Sequence, residues 1–160
     1  MKNIIRDRQE LINLRKQLKV EGKKLVFTNG CFDILHSGHV DYLNKAKATG
    51  DVLLVALNSD VSVRSIKGNK RPIMHEDERA FLISNLKAVD YVTFFDEDTP
   101  AKIISDLIPD ILVKGADWSA DNIVGKDIVE VNGGEVKRIA FITNQSTSGI
   151  INMILERYKE

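Results

Sequence analysis

Two imidazoles stand three residues apart in the run Thr28-Asn29-Gly30-Cys31-Phe32-Asp33-Ile34-Leu35-His36-Ser37-Gly38-His39. The run links an apolar segment, Lys24 to Asn29, to a segment with Val40 and Leu43 at helical spacing, so it reads as a strand, a glycine-bearing turn and a helix start. Gly38 removes a side chain where a phosphate can approach backbone N–H groups, and the start of a helix adds the positive end of its dipole. Histidines in such a place can donate hydrogen bonds to phosphoryl oxygens as charge builds in a transition state. The pattern points to phosphoryl chemistry, with His36 and His39 as catalytic candidates and Asn29, Gly30, Cys31, Phe32 and Gly38 around a nucleotide or its phosphates.

A second constellation lies far along the chain, where Asn144-Gln145-Ser146-Thr147-Ser148-Gly149 precedes a helical pattern. Hydroxyls at a helix start cap it, and with the free N–H groups they form an anion cradle, so Ser146, Thr147 and Ser148 are candidates for phosphate binding. Between the two constellations run Arg64, Lys67, Lys70 and Arg71, followed by Arg79. A protein that holds a triphosphate and a second phosphate needs mobile cations, and Lys67 beside Gly68 is a good candidate for a catalytic one. Arg79 is read either as a phosphate contact or as a partner of Glu76 or Glu78. Lys114-Gly115-Ala116-Asp117-Trp118 follows a strand and offers a cation, a pliable backbone and an acceptor, so Lys114, Gly115 and Asp117 are expected to border the base or ribose. His75 stands alone and reads as surface.

Other chemistries lose support. No third His or second Cys sits at ligand spacing near His36 and His39, which argues against a zinc site, so no protein metal site is expected. A lone cysteine after a buried strand is packing material more often than a nucleophile. Neither Gly-x-Gly-x-x-Gly nor a Walker phosphate loop occurs.

The elements that must position these groups follow from periodicity. Ile4, Leu11, Leu14 and Leu18 fall at helical intervals within residues 3–20, predicting an amphipathic helix beside the sheet. Val52 to Leu57 is a continuous apolar run, as in a parallel strand covered on both faces. Residues 61–75 read mainly as loop with one helical turn at the start. A helix from Glu76 to Leu86, a strand at 91–94, a helix opened by Thr99-Pro100, a strand at 111–113, a helix over 122–131, a strand at 136–139 and a last helix from Ser148 complete the order. Ile150, Ile151, Ile154, Leu155 and Tyr158 form the apolar face of that last helix. Strands alternating with helices predict an α/β, doubly wound, Rossmann-like parallel sheet with helices on both faces and ligands at the carboxyl ends of its strands.

The bulk properties agree. The 160 residues fit one domain, read as a helix over 1–21 and a catalytic core over 22–160. Basic and acidic residues balance at 23 each, so no overall field draws the chain to nucleic acid or an anionic membrane. One cysteine, a charged N-terminus and no long apolar run predict a cytoplasmic protein without a membrane span.

GCFDILHSGHVDYL, NSDVSVRSIKG with RPI, ER, EDTP, VKGADW, GKDIVEVNGGEV and STSGII together resemble the D-glycero-β-D-manno-heptose 1-phosphate adenylyltransferases, the adenylyltransferase half of the bacterial heptose enzymes. The resemblance covers about residues 20–158. His-x-Gly-His alone is shared with glycerol-3-phosphate cytidylyltransferase and the wider superfamily, whereas VKGADW with NGGEV is more specific. In the last motif Asn144-Gln145 and Ser148-Gly149 depart from the common pattern.

The resemblance implies ATP and heptose 1-phosphate as substrates, ADP-heptose and pyrophosphate as products, and Mg2+ bound mainly through substrate phosphates. It also implies a stand-alone enzyme without the sugar-kinase domain of many relatives, and pairing into a homodimer. Asp33, Asn58, Asp60 and Arg71 are the expected sugar-phosphate contacts. The attacking phosphate is already anionic, so position and charge compensation suffice, without a general base or covalent intermediate. The residues leave open a cytidylyltransferase acting on glycerol 3-phosphate or another polyol phosphate, a non-catalytic nucleotide sensor, and a regulator using the histidines as metal ligands.

Overall fold

A computed structural model describes residues 3–116, 122–140 and 145–159. Its elements run α1 (Arg8–Val20), β1 (Leu25–Gly30), α2 (Ser37–Lys47), β2 (Val52–Asn58), α3 (Asp60–Lys67), α4 (Glu76–Ser84), β3 (Tyr91–Phe95), α5 (Ala101–Leu107), β4 (Ile111–Gly115), α6 (Lys126–Val131), β5 (Glu135–Ile139) and α7 (Thr147–Arg157). The strands pair in parallel in the order β3-β2-β1-β4-β5.

Successive strand residues point to opposite faces, which divides the core in two. Phe27, Leu54 and Leu112 pack with Leu11 and Leu18 of α1, with Ile103, Ile104 and Leu107 of α5 and with Val129 of α6. Val26, Leu53, Val55 and Val113 pack on the other side with Tyr42, Leu43 and Ala46 of α2 and with Ala80 and Ile83 of α4. Every residue of β2 is buried for this reason, as its unbroken apolar run predicted. Each fully buried Leu or Phe contributes about 1.5–3 kcal/mol. The chain builds outward from β1 to β2 and β3, then crosses to β4 and β5 on the far side of β1. A crevice therefore opens at the carboxyl ends of β1 and β4, where the connections leaving the two strands run to opposite sides.

Some elements differ from the sequence expectation. The first helix starts at Arg8, because Asp7 caps it by accepting the Glu10 N–H at 2.7 Å. Ile4 leaves the helical stripe and bridges Val92; Ile5 N–H donates to the Val92 carbonyl and Val92 N–H to the Asn3 carbonyl, both at 2.9 Å, which occupies the open edge of β3. Residues 60–67 form two turns of helix where mostly loop was expected. Ser59 caps them by accepting Ser62 N–H, and Ser62 and Val63 are buried. Pro100, one residue past the expected Thr99, is the N-cap of α5, and α6 begins only at Lys126.

The last helix has its expected period, with Ser146 accepting the Gly149 N–H at 3.0 Å, but none of its residues is buried. A feature not foreseen fastens α1 to the body. The buried Arg15 guanidinium donates to the Leu107 and Ile108 carbonyls and to both Asp110 carboxylate oxygens at 2.8–3.0 Å, and Asp110 also accepts the Leu25 N–H that opens β1. Among the described residues no helix is long and apolar enough to cross a membrane.

Candidate active site at the sheet's switch point

The crevice holds a cavity of about 310 Å³, within the range of roughly 300–1,000 Å³ common for small-molecule sites. Its floor is the end of β1, Asn29 and Gly30, continued by Cys31 and Phe32. Lys114 and Gly115 close it on the β4 side, and His39 and Tyr42 of α2 form a wall. Asn58 of β2, Ile66 and Lys67 of α3, and Asp98, Thr99 and Pro100 after β3 close the opposite side.

The turn after β1 is held in an uncommon shape. Phe32 has φ 46°, in the left-handed region that costs a non-glycine residue energy. Its ring folds back over Gly30, where a Cβ would lie 2.9 Å from a ring carbon, so any larger residue would have to push the ring aside. The same ring tilts against His39 with centroids 5.1 Å apart, and His39 stacks on His36 at 3.8 Å and 26°. His36 is the N-cap residue of α2, yet its side chain makes no capping bond. Both Nδ1 atoms are buried without a hydrogen-bond partner.

Burial lowers the pKa of both rings, and the neighbouring His36 adds to the effect on His39, which falls to about 4. His39 is therefore neutral at pH 7. Lys114, itself buried, donates to Asn29 Oδ1 and ties β4 to β1. Tyr42 does the same for α2, its hydroxyl bonded to Thr28 Oγ1 at 2.8 Å and donating to the Val113 carbonyl at 3.1 Å. Lys67 reaches the cavity from an exposed position at the end of α3.

Four expected ligand contacts are bonded to the protein instead. The Asp33 carboxylate is fully buried and accepts Arg71 Nε at 2.6 Å, Ile73 N–H at 2.9 Å and Met74 N–H at 2.8 Å. Burial by itself would raise its pKa, but those donors outweigh burial and hold it below the usual value. Arg79, 1% exposed, donates to the Met74 carbonyl at 3.1 Å, the Cys31 carbonyl at 2.6 Å and Asp60 Oδ1 at 2.8 Å. Its partner is thus Asp60, not Glu76 or Glu78. Burial likewise opposes ionisation of Asp60, and the bonds from Arg79 and His75 overcome it. His75, expected to stand alone, has Nδ1 3.1 Å from Asp60 Oδ2 with its ring still exposed. Asp33, Asp60, Arg71 and Arg79 fix the β1–α2 turn against the 71–79 segment, and none of them lines the cavity.

Of the other candidates, Gly38 is buried in the first turn of α2, and His36 reaches the cavity only through its stack on His39. Ser146, Thr147 and Ser148 do not line the cavity; Ser146 caps its own helix. Asp117 lies outside the described residues. Sequence reasoning did not pick out Tyr42, Ile66, Asp98, Thr99, Pro100 or Val124. The signal for three of these was position: Asp98-Thr99-Pro100 follows a strand at the sheet's carboxyl edge, where ligands collect. Its use as a helix start had absorbed the motif. Among the described residues no three His, Cys, Asp or Glu side chains gather as a metal site.

A histidine pair at the start of α2, facing the crevice of a doubly wound sheet, places this protein among the nucleotidyltransferases of the His-x-Gly-His class. Comparison with known proteins narrows this. The family model described as cytidylyltransferase-like matches residues 27–151, and the chain belongs to that family.

It is similar to the "Bifunctional protein HldE" of Citrifermentans bemidjiense, 57% identical over 86% of this chain, and to that of Geobacter metallireducens, 55% identical over 89%. The chain spans only 28% and 29% of the length of these two relatives. A crystal structure of the lipopolysaccharide core biosynthesis protein from Thermoplasma volcanium is matched over its whole length and 78% of this chain, at 34% identity and a TM-score of 0.62. A pantoate-beta-alanine ligase from Francisella tularensis, at 13% identity and a TM-score of 0.64 over 92% of this chain and 69% of its own, shares the fold.

Proposed function

We propose that this chain transfers AMP from ATP to D-glycero-D-manno-heptose 1-phosphate, giving ADP-heptose and pyrophosphate. The observation that carries the transfer chemistry is the His36–His39 stack, with buried ring nitrogens unbonded, beside a cavity that also presents Lys67 and Lys114. The sugar is supported by the segments VKGADW and NGGEV, by relatives named HldE and by a neighbour described as a lipopolysaccharide core biosynthesis protein.

The sugar phosphate attacks the α-phosphorus in line, and the site supplies position and charge compensation. His39 donates a hydrogen bond to an α-phosphoryl oxygen, and His36 fixes its ring. The arriving anion opposes the burial that depresses the His39 pKa, so the ring becomes a stronger donor as charge builds. Lys67 neutralises phosphate at the open side, while Lys114 with Asn29 fixes the floor. Among the described residues the cavity lining offers one carboxylate, Asp98, and one imidazole, His39, beside amides, hydroxyls and two lysines. That set fits magnesium ligated by the phosphates themselves rather than caged by protein, and the ion would neutralise the leaving pyrophosphate.

The family description keeps CTP as the competing nucleotide. The test offers ATP or CTP with magnesium and a panel of sugar 1-phosphates and polyol phosphates, scoring pyrophosphate. Release with ATP and heptose 1-phosphate supports the proposal; release with CTP and glycerol 3-phosphate alone, or none with any pair, contradicts it.

A further inference from the structure

We propose that Asp98 and Thr99, in the loop after β3, read the hydroxyl groups of the acceptor, so that the cavity selects a sugar or polyol phosphate over a bare phosphate. This rests on the nucleotidyl-transfer reading above and assigns its acceptor half.

The acids expected to contact the acceptor, Asp33 and Asp60, are committed to Arg71, Arg79 and backbone N–H groups. Asp98 is then the carboxylate among the described residues lining the cavity. It is exposed, and among the described residues it makes no hydrogen bond or ion pair; the adjacent Glu97, not Asp98, takes Lys102, at 3.7 Å. A carboxylate is repelled by phosphate at close range, so in a cavity that receives a triphosphate it faces the uncharged part of a ligand. Two acceptor oxygens beside a threonine hydroxyl match a run of neighbouring O–H groups, the surface a polyol presents.

The topology separates the two substrates. His39 follows β1, which lies between β4 with Lys114 and Gly115 on one side and β2 and β3 with Asn58, Lys67, Asp98 and Thr99 on the other. In-line displacement places entering and leaving groups on opposite sides of phosphorus. The β2–β3 half, with a cation for the acceptor phosphate and a carboxylate for its hydroxyls, takes the acceptor.

The test measures affinity for D-glycero-D-manno-heptose 1-phosphate and for inorganic phosphate by calorimetry, with a non-hydrolysable ATP analogue present, in wild type, Asp98→Asn and Thr99→Val. Both side chains are exposed, so both variants keep the fold. The wild type should prefer the sugar phosphate at least about 100-fold. Asp98→Asn should erode that preference by about 10- to 100-fold, the range for a hydrogen bond to a charged group, and Thr99→Val by about 3- to 10-fold, with ATP-analogue affinity changed less than about 2-fold.

An unchanged preference in both variants overturns the proposal. So does a wild type that binds the two ligands equally, a loss of ATP affinity that disappears with 2′-deoxy-ATP, which would assign Asp98 to the ribose, or a raised magnesium requirement as the sole effect. If wild type binds both substrates and releases no pyrophosphate, the reaction proposed above fails while the affinity ratio still decides the role of Asp98.

Discussion

The β1–α2 turn and the segment from Arg71 to Arg79 both carry nitrogen-bearing side chains, lie near each other at the sheet's carboxyl edge, and treat those nitrogens in opposite ways. Arg71 and Arg79 are bonded to Asp33, Asp60 and the carbonyls of Met74 and Cys31. His36 and His39 are packed on one another with Nδ1 unbonded and, for His39, a pKa driven down to about 4. Saturated groups set shape. Unsatisfied ones have bonding capacity left for a ligand, and burying them without a partner costs stability that a purely structural site would not retain.

Breaking the saturated side should cost stability most. Arg79→Ala leaves Asp60 facing a void and releases the Cys31 carbonyl, so urea denaturation should show a loss of about 3–5 kcal/mol, the cost of breaking a buried pair. A loss below about 1 kcal/mol with turnover abolished would move Arg79 back among the ligand contacts.

Breaking the unsatisfied side should cost rate instead. His39→Ala should lower kcat about 10²- to 10³-fold while the KM for ATP and the stability change far less, because the bond it removes is strongest in the transition state. Steady-state pyrophosphate release checks this; near-normal kcat with a collapsed melting temperature would reverse the contrast.

Asp33→Asn should be milder, destabilising by about 1–3 kcal/mol as an acceptor of charged and backbone donors is weakened. The two regions should also separate in pH. The depressed carboxyl of Asp33 contributes stability that is fully present above its usual pKa of 3.8 and is lost as pH falls through its lower folded value. Buried neutral His39 contributes in full above 6.5 and loses that contribution as pH falls towards about 4. Denaturation across pH should therefore show a decline between 6.5 and 4 that His39→Ala removes, and a further one below 3.8 that Asp33→Asn blunts.

The sequence made the architecture readable because burial writes itself into period: the apolar run of β2 and the stripes of α2 and α5 needed no tertiary knowledge. The histidine pair was readable for a related reason, since a strand, a turn and a helix fix where its side chains go. Pairing was not. Asp33 meets Arg71 across 38 positions and Arg15 meets Asp110 across 95, so residue type alone cannot say whether an arginine waits for phosphate or is already bonded. Asp7 and Ser59 show the same limit at short range, where one capping side chain moved the start of α1 and turned the stretch after β2 from loop into helix. Asp98 escaped notice because its loop doubles as a helix entrance.

The central claim is that the imidazole of His39 is kept neutral and unbonded until a triphosphate arrives. Nitrogen-detected NMR titration of His39, alone and with a non-hydrolysable ATP analogue, measures this directly. The free protein should titrate near 4, and the analogue should move the midpoint upward by a unit or more, about 1.4 kcal/mol of added interaction. A midpoint near the ordinary 6.5 in the free protein, unmoved by the analogue, would contradict it.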